Sequence, residues 1–134
     1  MTTTAIAAVL LKLPELTYYG VSLYGESISL LSPEKRAELH TSEHARLLHD
    51  VAGFDAACSW LCTRARIKTL NRNHNTYGLK HYMERDKFGY VSQGIFIAAA
   101  VHLGFKYALS GESHGLYLNI SEKALTPPSQ IKSY

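Results

Sequence analysis

Residues 95–103 read Ile-Phe-Ile-Ala-Ala-Ala-Val-His-Leu, a run in which His102 is the one polar side chain. Ser92 ahead of the run is a hydroxyl cap and Gly104 closes it, so the run predicts a helix. A helix that is apolar on every face has no side to give to water and must be enclosed by its own domain. The rest of the chain therefore has to supply a shell. With 134 residues, 46% of them apolar, one ordinary globular domain is large enough to do so.

That shell is predicted to be mostly helical. Residues 5–13 are helix-compatible up to Pro14, which pushes its predecessor out of the α region. Residues 16–30 are β-branched and aromatic with partial alternation, and predict an extended segment. Ser32-Pro33-Glu34 combines a cap, a proline at the first helical position and an acid at the positive end of the dipole. It predicts a short helix. A second helix is expected after Thr41 or Ser42, burying Leu47, Leu48 and Val51. Near Asp55 a third begins, with Phe54, Cys58, Leu61, Cys62 and Ala65 on one apolar stripe. The run Asn71-Arg72-Asn73-His74-Asn75 breaks that periodicity and supplies capping groups. A helix from Thr76 or Tyr77 to about Arg85 follows, then a turn over residues 88–91.

After Gly104, residues 105–109 and 116–120 predict strands joined by a hairpin loop, residues 110–115. Pro127-Pro128 ends regular structure. The expectation is a helix-rich α+β fold: a single domain over residues 1–126 with a C-terminal β-hairpin, and a flexible tail over 127–134. Helix, turn, helix, helix, hairpin resembles the order of a winged helix-turn-helix. A recognition helix needs an exposed polar face, whereas residues 92–103 offer only Ser92, Gln93 and His102. If nucleic acid is bound, the preceding basic helix and loop are the better surface.

Charge is distributed unevenly. Residues 63–87 hold Arg64, Arg66, Lys68, Arg72, Lys80, Arg85 and Lys87 against Glu84 and Asp86, a net of +5, while the whole chain carries only +3. The small total excludes both an acidic DNA mimic and a histone-like polycation. Within the segment, Arg64, Arg66, Lys68, Arg72, Lys80 and Arg85 are candidates for phosphate contacts, and Asn73, His74, Asn75 and Tyr77 for polar or stacking contacts. The bland reading is a solvated face that balances the acids of residues 31–62. No run approaches a membrane span, and the N-terminus lacks the basic region of a signal peptide, so a cytoplasmic location is expected.

Three motif matches read better as structure. His40-Thr41-Ser42-Glu43-His44 fits the inverted zinc-protease pattern, but Thr41-Ser42 reads as a helix cap that would leave His40 outside the helix. Gly111-Glu112-Ser113-His114-Gly115 fits a nucleophile elbow, yet a strand follows it where a helix is needed. Cys58 and Cys62 lie one helical turn apart on the apolar stripe, where free cysteine packs as a small hydrophobe. Neither metal nor cofactor is expected, and no enzymatic activity.

The stretch Asn75-Thr-Tyr-Gly-Leu-Lys-His81, Glu84, then Gly89-Tyr-Val-Ser-Gln-Gly-Ile-Phe-Ile-Ala-Ala-Ala100 and Gly104-Phe105 resembles a family of small proteins carried by phages and other bacterial mobile elements. The resemblance covers roughly residues 58–105. It implies a bacterial or phage setting and assigns no activity to any residue. The expected function is binding: residues 63–87 contact nucleic acid or a host nucleoprotein complex. The first alternative is an inhibitor of a host defence complex that works by protein contacts, in the manner of an anti-CRISPR protein. A small hydrolase or metalloenzyme is the weaker one.

Overall fold

A computed structural model describes residues 2–22 and 30–125. The first helix, α1 (Thr2–Lys12), buries Ile6, Val9 and Leu10 at helical spacing and stops ahead of Pro14. Of the extended segment expected over residues 16–30, two short strands form, β1 (Leu16–Thr17) and β2 (Gly20–Val21), paired antiparallel. The part at 23–29 lies outside the described residues, as does the expected tail at 127–134.

Ser32 starts α2 (Pro33–His49) as expected, its hydroxyl accepting from the Lys35 N–H at 3.2 Å. The expected break at Thr41-Ser42 is absent: α2 is continuous. Thr41 turns its hydroxyl inward along the helix and donates to Ala37 O at 3.0 Å, so it behaves as a mid-helix threonine rather than a cap. Leu47 is fully buried and Leu48 partly, but Val51 is exposed, because Asp50 ends α2 and starts a new helix axis. Asp50 accepts from the Gly53 N–H, and α3 (Val51–Leu61) therefore begins four residues earlier than expected. Its buried face is Phe54, Ala57, Trp60 and Leu61. The stripe read from the sequence is rotated. Trp60 takes the core position, leaving Cys58 half-buried and Cys62 and Ala65 exposed.

The Asn-rich run is strand rather than loop. It lies in β3 (Arg66–Asn75), which pairs antiparallel with β5 (Leu116–Ile120). The register slips twice, between Arg66 and Asn71 and between Asn71 and Asn75. Asparagine amides repair the broken ladder: Asn119 donates to Ile67 O and accepts from the Lys106 N–H, and Asn71 donates to Ile120 O. The capping role expected of the run is real at its last residue. Asn75 accepts from the Gly78 N–H at the start of α4 (Thr76–Arg85). Ser92 caps α5 (Gln93–His102), and β4 (Tyr107–Leu109) forms the expected hairpin with β5. A 3-10 turn, Glu122–Leu125, completes the described chain.

The strand order β3-β5-β4, with α3 before β3 and α4 and α5 between β3 and β4, is the order of a winged helix. The α+β expectation holds. What differs from a DNA-reading module is the placement of α5. Every residue from Gln93 to Val101 is buried, and α1, α3, α4 and β2 pack around the helix. The helix that would enter a major groove is the centre of the core. No helix among the described residues is long and apolar enough to cross a membrane.

Candidate nucleic-acid interface

The residues expected to form one cationic surface divide into two groups. Several are tied into the fold. Arg64 donates to Trp60 O and Ala124 O, both at 3.0 Å, and lies over the Trp60 ring, clamping the end of α3 to the 3-10 turn. Lys80 is buried and paired with Glu84 at 3.1 Å, one helical turn away. Arg85 pairs with Asp86 at 3.0 Å and donates to Leu125 O. Asn73 and His74 both reach Glu122, at 3.2 and 2.8 Å. Asn75 is occupied as a cap and as a donor to Glu112 O. Burial raises the Glu84 and Asp86 carboxyls. Burial is the largest single influence, but the hydrogen bonds and adjacent cations together outweigh it and hold both below their ordinary values. Hydrogen bonding from His74 does the same for Glu122. Lys80, Arg85 and His74 thus meet acids of their own fold, but Glu84, Asp86 and Glu122 lie outside residues 31–62, so the balance is not the one expected from the sequence.

The other group is free of carboxylates. Among the described residues, Arg66, Lys68 and Arg72 on β3 make no ion pair, and all three are exposed. Arg66 lies over the Phe105 ring at 4.0 Å and donates to Leu103 O at the end of α5, which fixes one side of its guanidinium. Arg72 lies over Tyr117. Where β3 bulges, the Lys106 ammonium donates to Lys68 O at 3.0 Å, bringing a fourth cation to the strand. Lys106 is also unpaired with any acid among the described residues and was not singled out by the sequence. Its only signal there is a lysine just ahead of a strand, and its position depends on a bulge 38 residues away.

A second feature lies at the N-terminal ends of α4 and α5. Tyr19, Tyr77, Lys80, His81, Tyr90 and Gln93 line a cavity of about 460 Å³. Gln93 is a structural post in its wall: it donates to Tyr19 O and Ser113 O and accepts from the Thr76 hydroxyl. Of this set, sequence reading selected only Tyr77 and Lys80. The signal for the rest was their clustering in the segments that frame the start of α5.

The motif matches resolve through geometry. His40 and His44 do share one helix, contrary to the expected cap, with rings 6.1 Å apart. His44, however, donates to Pro14 O, and Glu43 accepts from the Tyr18 N–H and pairs with Arg46. Among the described residues no three His, Cys, Asp or Glu side chains are grouped to hold a metal ion. The Gly111–Gly115 motif is the tip of the β4–β5 hairpin, with strand on both sides. Comparison with protein-family models, with curated proteins and with solved structures found no match for this chain.

Proposed function

We propose that the protein binds the phosphate backbone of a nucleic acid through Arg66, Lys68, Arg72 and Lys106. The observation that carries this reading is that four exposed cations, three along β3 and Lys106 at its bulge, have no carboxylate in ion-pair range among the described residues. An uncompensated cluster of that kind attracts a polyanion and gains counterion release on binding. With α5 buried, the helix that reads bases in a winged-helix module is withdrawn, and four cations spread along a strand suit contacts to the backbone, which tolerate different sequences.

The test is fluorescence anisotropy with a labelled 20-mer across a salt series. Four neutralised phosphates give a log–log slope of about 3 to 4. Lys68→Glu combined with Arg72→Glu changes two side chains that donate no hydrogen bond among the described residues, and should weaken binding at least tenfold with an unchanged circular dichroism spectrum. If the wild type shows no binding at 50 mM salt, the reading is wrong.

A further inference from the structure

The tyrosine-lined cavity holds chemistry that the phosphate reading leaves unused. Lys80 forms its floor: only 8% of the side chain is exposed, and its ammonium is 5.0 Å from the Tyr90 ring centroid and 5.7 Å from that of Tyr77. An ammonium has three donors, and among the described residues one goes to Glu84 Oε2. Among the described residues no second acceptor meets the ammonium, which faces the Tyr90 and Tyr77 rings. His81 binds Glu84 through Nδ1, which leaves Nε2 as its second polar atom. Tyr90 is 70% exposed and Tyr77 48%, a large aromatic area for a protein surface.

Each simple ligand class can be tested against that lining. A ligand cation is repelled, because the space between Tyr77 and Tyr90 that would cage it is already faced by Lys80. A purely apolar ligand would strip water from the ammonium and return no acceptor. An aliphatic anion would satisfy Lys80 but make little use of the rings. A flat ring carrying oxygen acceptors uses all of it, and a volume of about 460 Å³ accommodates a nucleotide.

We propose that this cavity receives a nucleobase outside a duplex, stacked on Tyr90, with an exocyclic carbonyl oxygen accepting from Lys80. The source favoured is an unpaired base of a bound strand, which extends the phosphate-binding reading to single strands and rests on it for that step. Stacking of one base on an aromatic side chain contributes about 1–3 kcal/mol, which corresponds to a change in affinity of about fivefold or more.

Oligouridylate and an RNA duplex of equal length are compared by anisotropy, and uridine monophosphate and ribose 5-phosphate by calorimetry. The oligouridylate should bind more tightly than the duplex. Tyr90→Ala should cost it about tenfold while leaving the duplex unchanged, and uridine monophosphate should bind where ribose 5-phosphate does not. Tyr90 is exposed, so the variant keeps its fold, with circular dichroism as the check. Binding of the mononucleotide without retention of any strand would support the cavity, make the free nucleotide its ligand, and sink the phosphate reading instead. Equal binding of strand and duplex, with Tyr90→Ala indistinguishable from wild type and no heat from uridine monophosphate, overturns the cavity proposal and leaves the phosphate reading standing.

Discussion

The indole N–H of Trp60 donates to Asp86 Oδ2 at 2.8 Å, joining the last turn of α3 to the residue that ends α4. Trp60 is fully buried, its ring 6.0 Å from that of Phe96 on α5. Asp86→Ala leaves a buried indole N–H without its acceptor and should cost about 1–3 kcal/mol. Asp86→Asn keeps a carbonyl oxygen in place and should cost less. Trp60 is the only tryptophan, so its fluorescence in a urea titration reports both variants directly.

Acid should weaken the fold through the same turn. Glu84 and Asp86 have their carboxyls held below the ordinary values of 4.5 and 3.8 by hydrogen bonds and neighbouring cations, despite burial that acts the other way. A carboxyl depressed in the folded state contributes stability that is complete above its unfolded value and is lost as pH falls through the folded one. The urea midpoint should therefore be flat from pH 8 to 6 and decline below about pH 4.5. In Glu84→Gln/Asp86→Asn the midpoint should be lower at neutral pH, with a shallower acid decline. An equally steep decline in that variant would place the effect on other groups.

Two glycines in helices should respond oppositely to alanine. A Cβ at Gly94 would stand 1.9 Å from Thr17 O and 2.8 Å from Tyr18 O, against the backbone that its own N–H holds. Gly94→Ala must push the β1–β2 turn off α5 and should destabilise by about 3 kcal/mol. At Gly78 the nearest atom to such a Cβ is 4.0 Å away, so Gly78→Ala should stabilise by about 0.5–1 kcal/mol. Thermal melts of the two variants side by side decide the matter.

The two thiols should separate kinetically. Burial, then Asp55 and Cys62, push the Cys58 thiol up to about 11. At pH 8 about one Cys58 in a thousand is thiolate. Cys62 is exposed at the end of α3. Ellman's reagent should titrate one thiol quickly and the other only on denaturation, and Cys62→Ser should remove the fast phase.

What could be read from the sequence was local. Ser32, Asn75 and Ser92 cap α2, α4 and α5 because capping needs only the three residues that follow. The apolar run around Ala98 declared its own burial. Strand β3 was not legible, since Arg66 to Asn75 has almost no apolar alternation; it is strand because β5 pairs with it and asparagine amides fill the gaps. Thr41 matches a cap in sequence, but its hydroxyl bonds the carbonyl four residues back. The site divided for a related reason. Counting charge finds Arg66 and Arg85 alike, but Arg85 is held by Asp86 and by Leu125 O from 40 residues away whereas Arg66 meets no acid among the described residues. Only the fold decides which cations are already spoken for.

Helix α5 also acts as a ruler. Its first residue, Gln93, stands in the wall of the tyrosine-lined cavity, and the carbonyl of Leu103 just beyond its last holds the Arg66 guanidinium. Ten helical residues span about 15 Å, so those two places sit at the two tips of one rigid rod that is buried from Gln93 to Val101. Deleting a single alanine from its middle would shorten that rod by about 1.5 Å and swing one tip about 100° relative to the other. The spacing between the two surfaces is therefore written into the length of the one element that touches no solvent along most of its course.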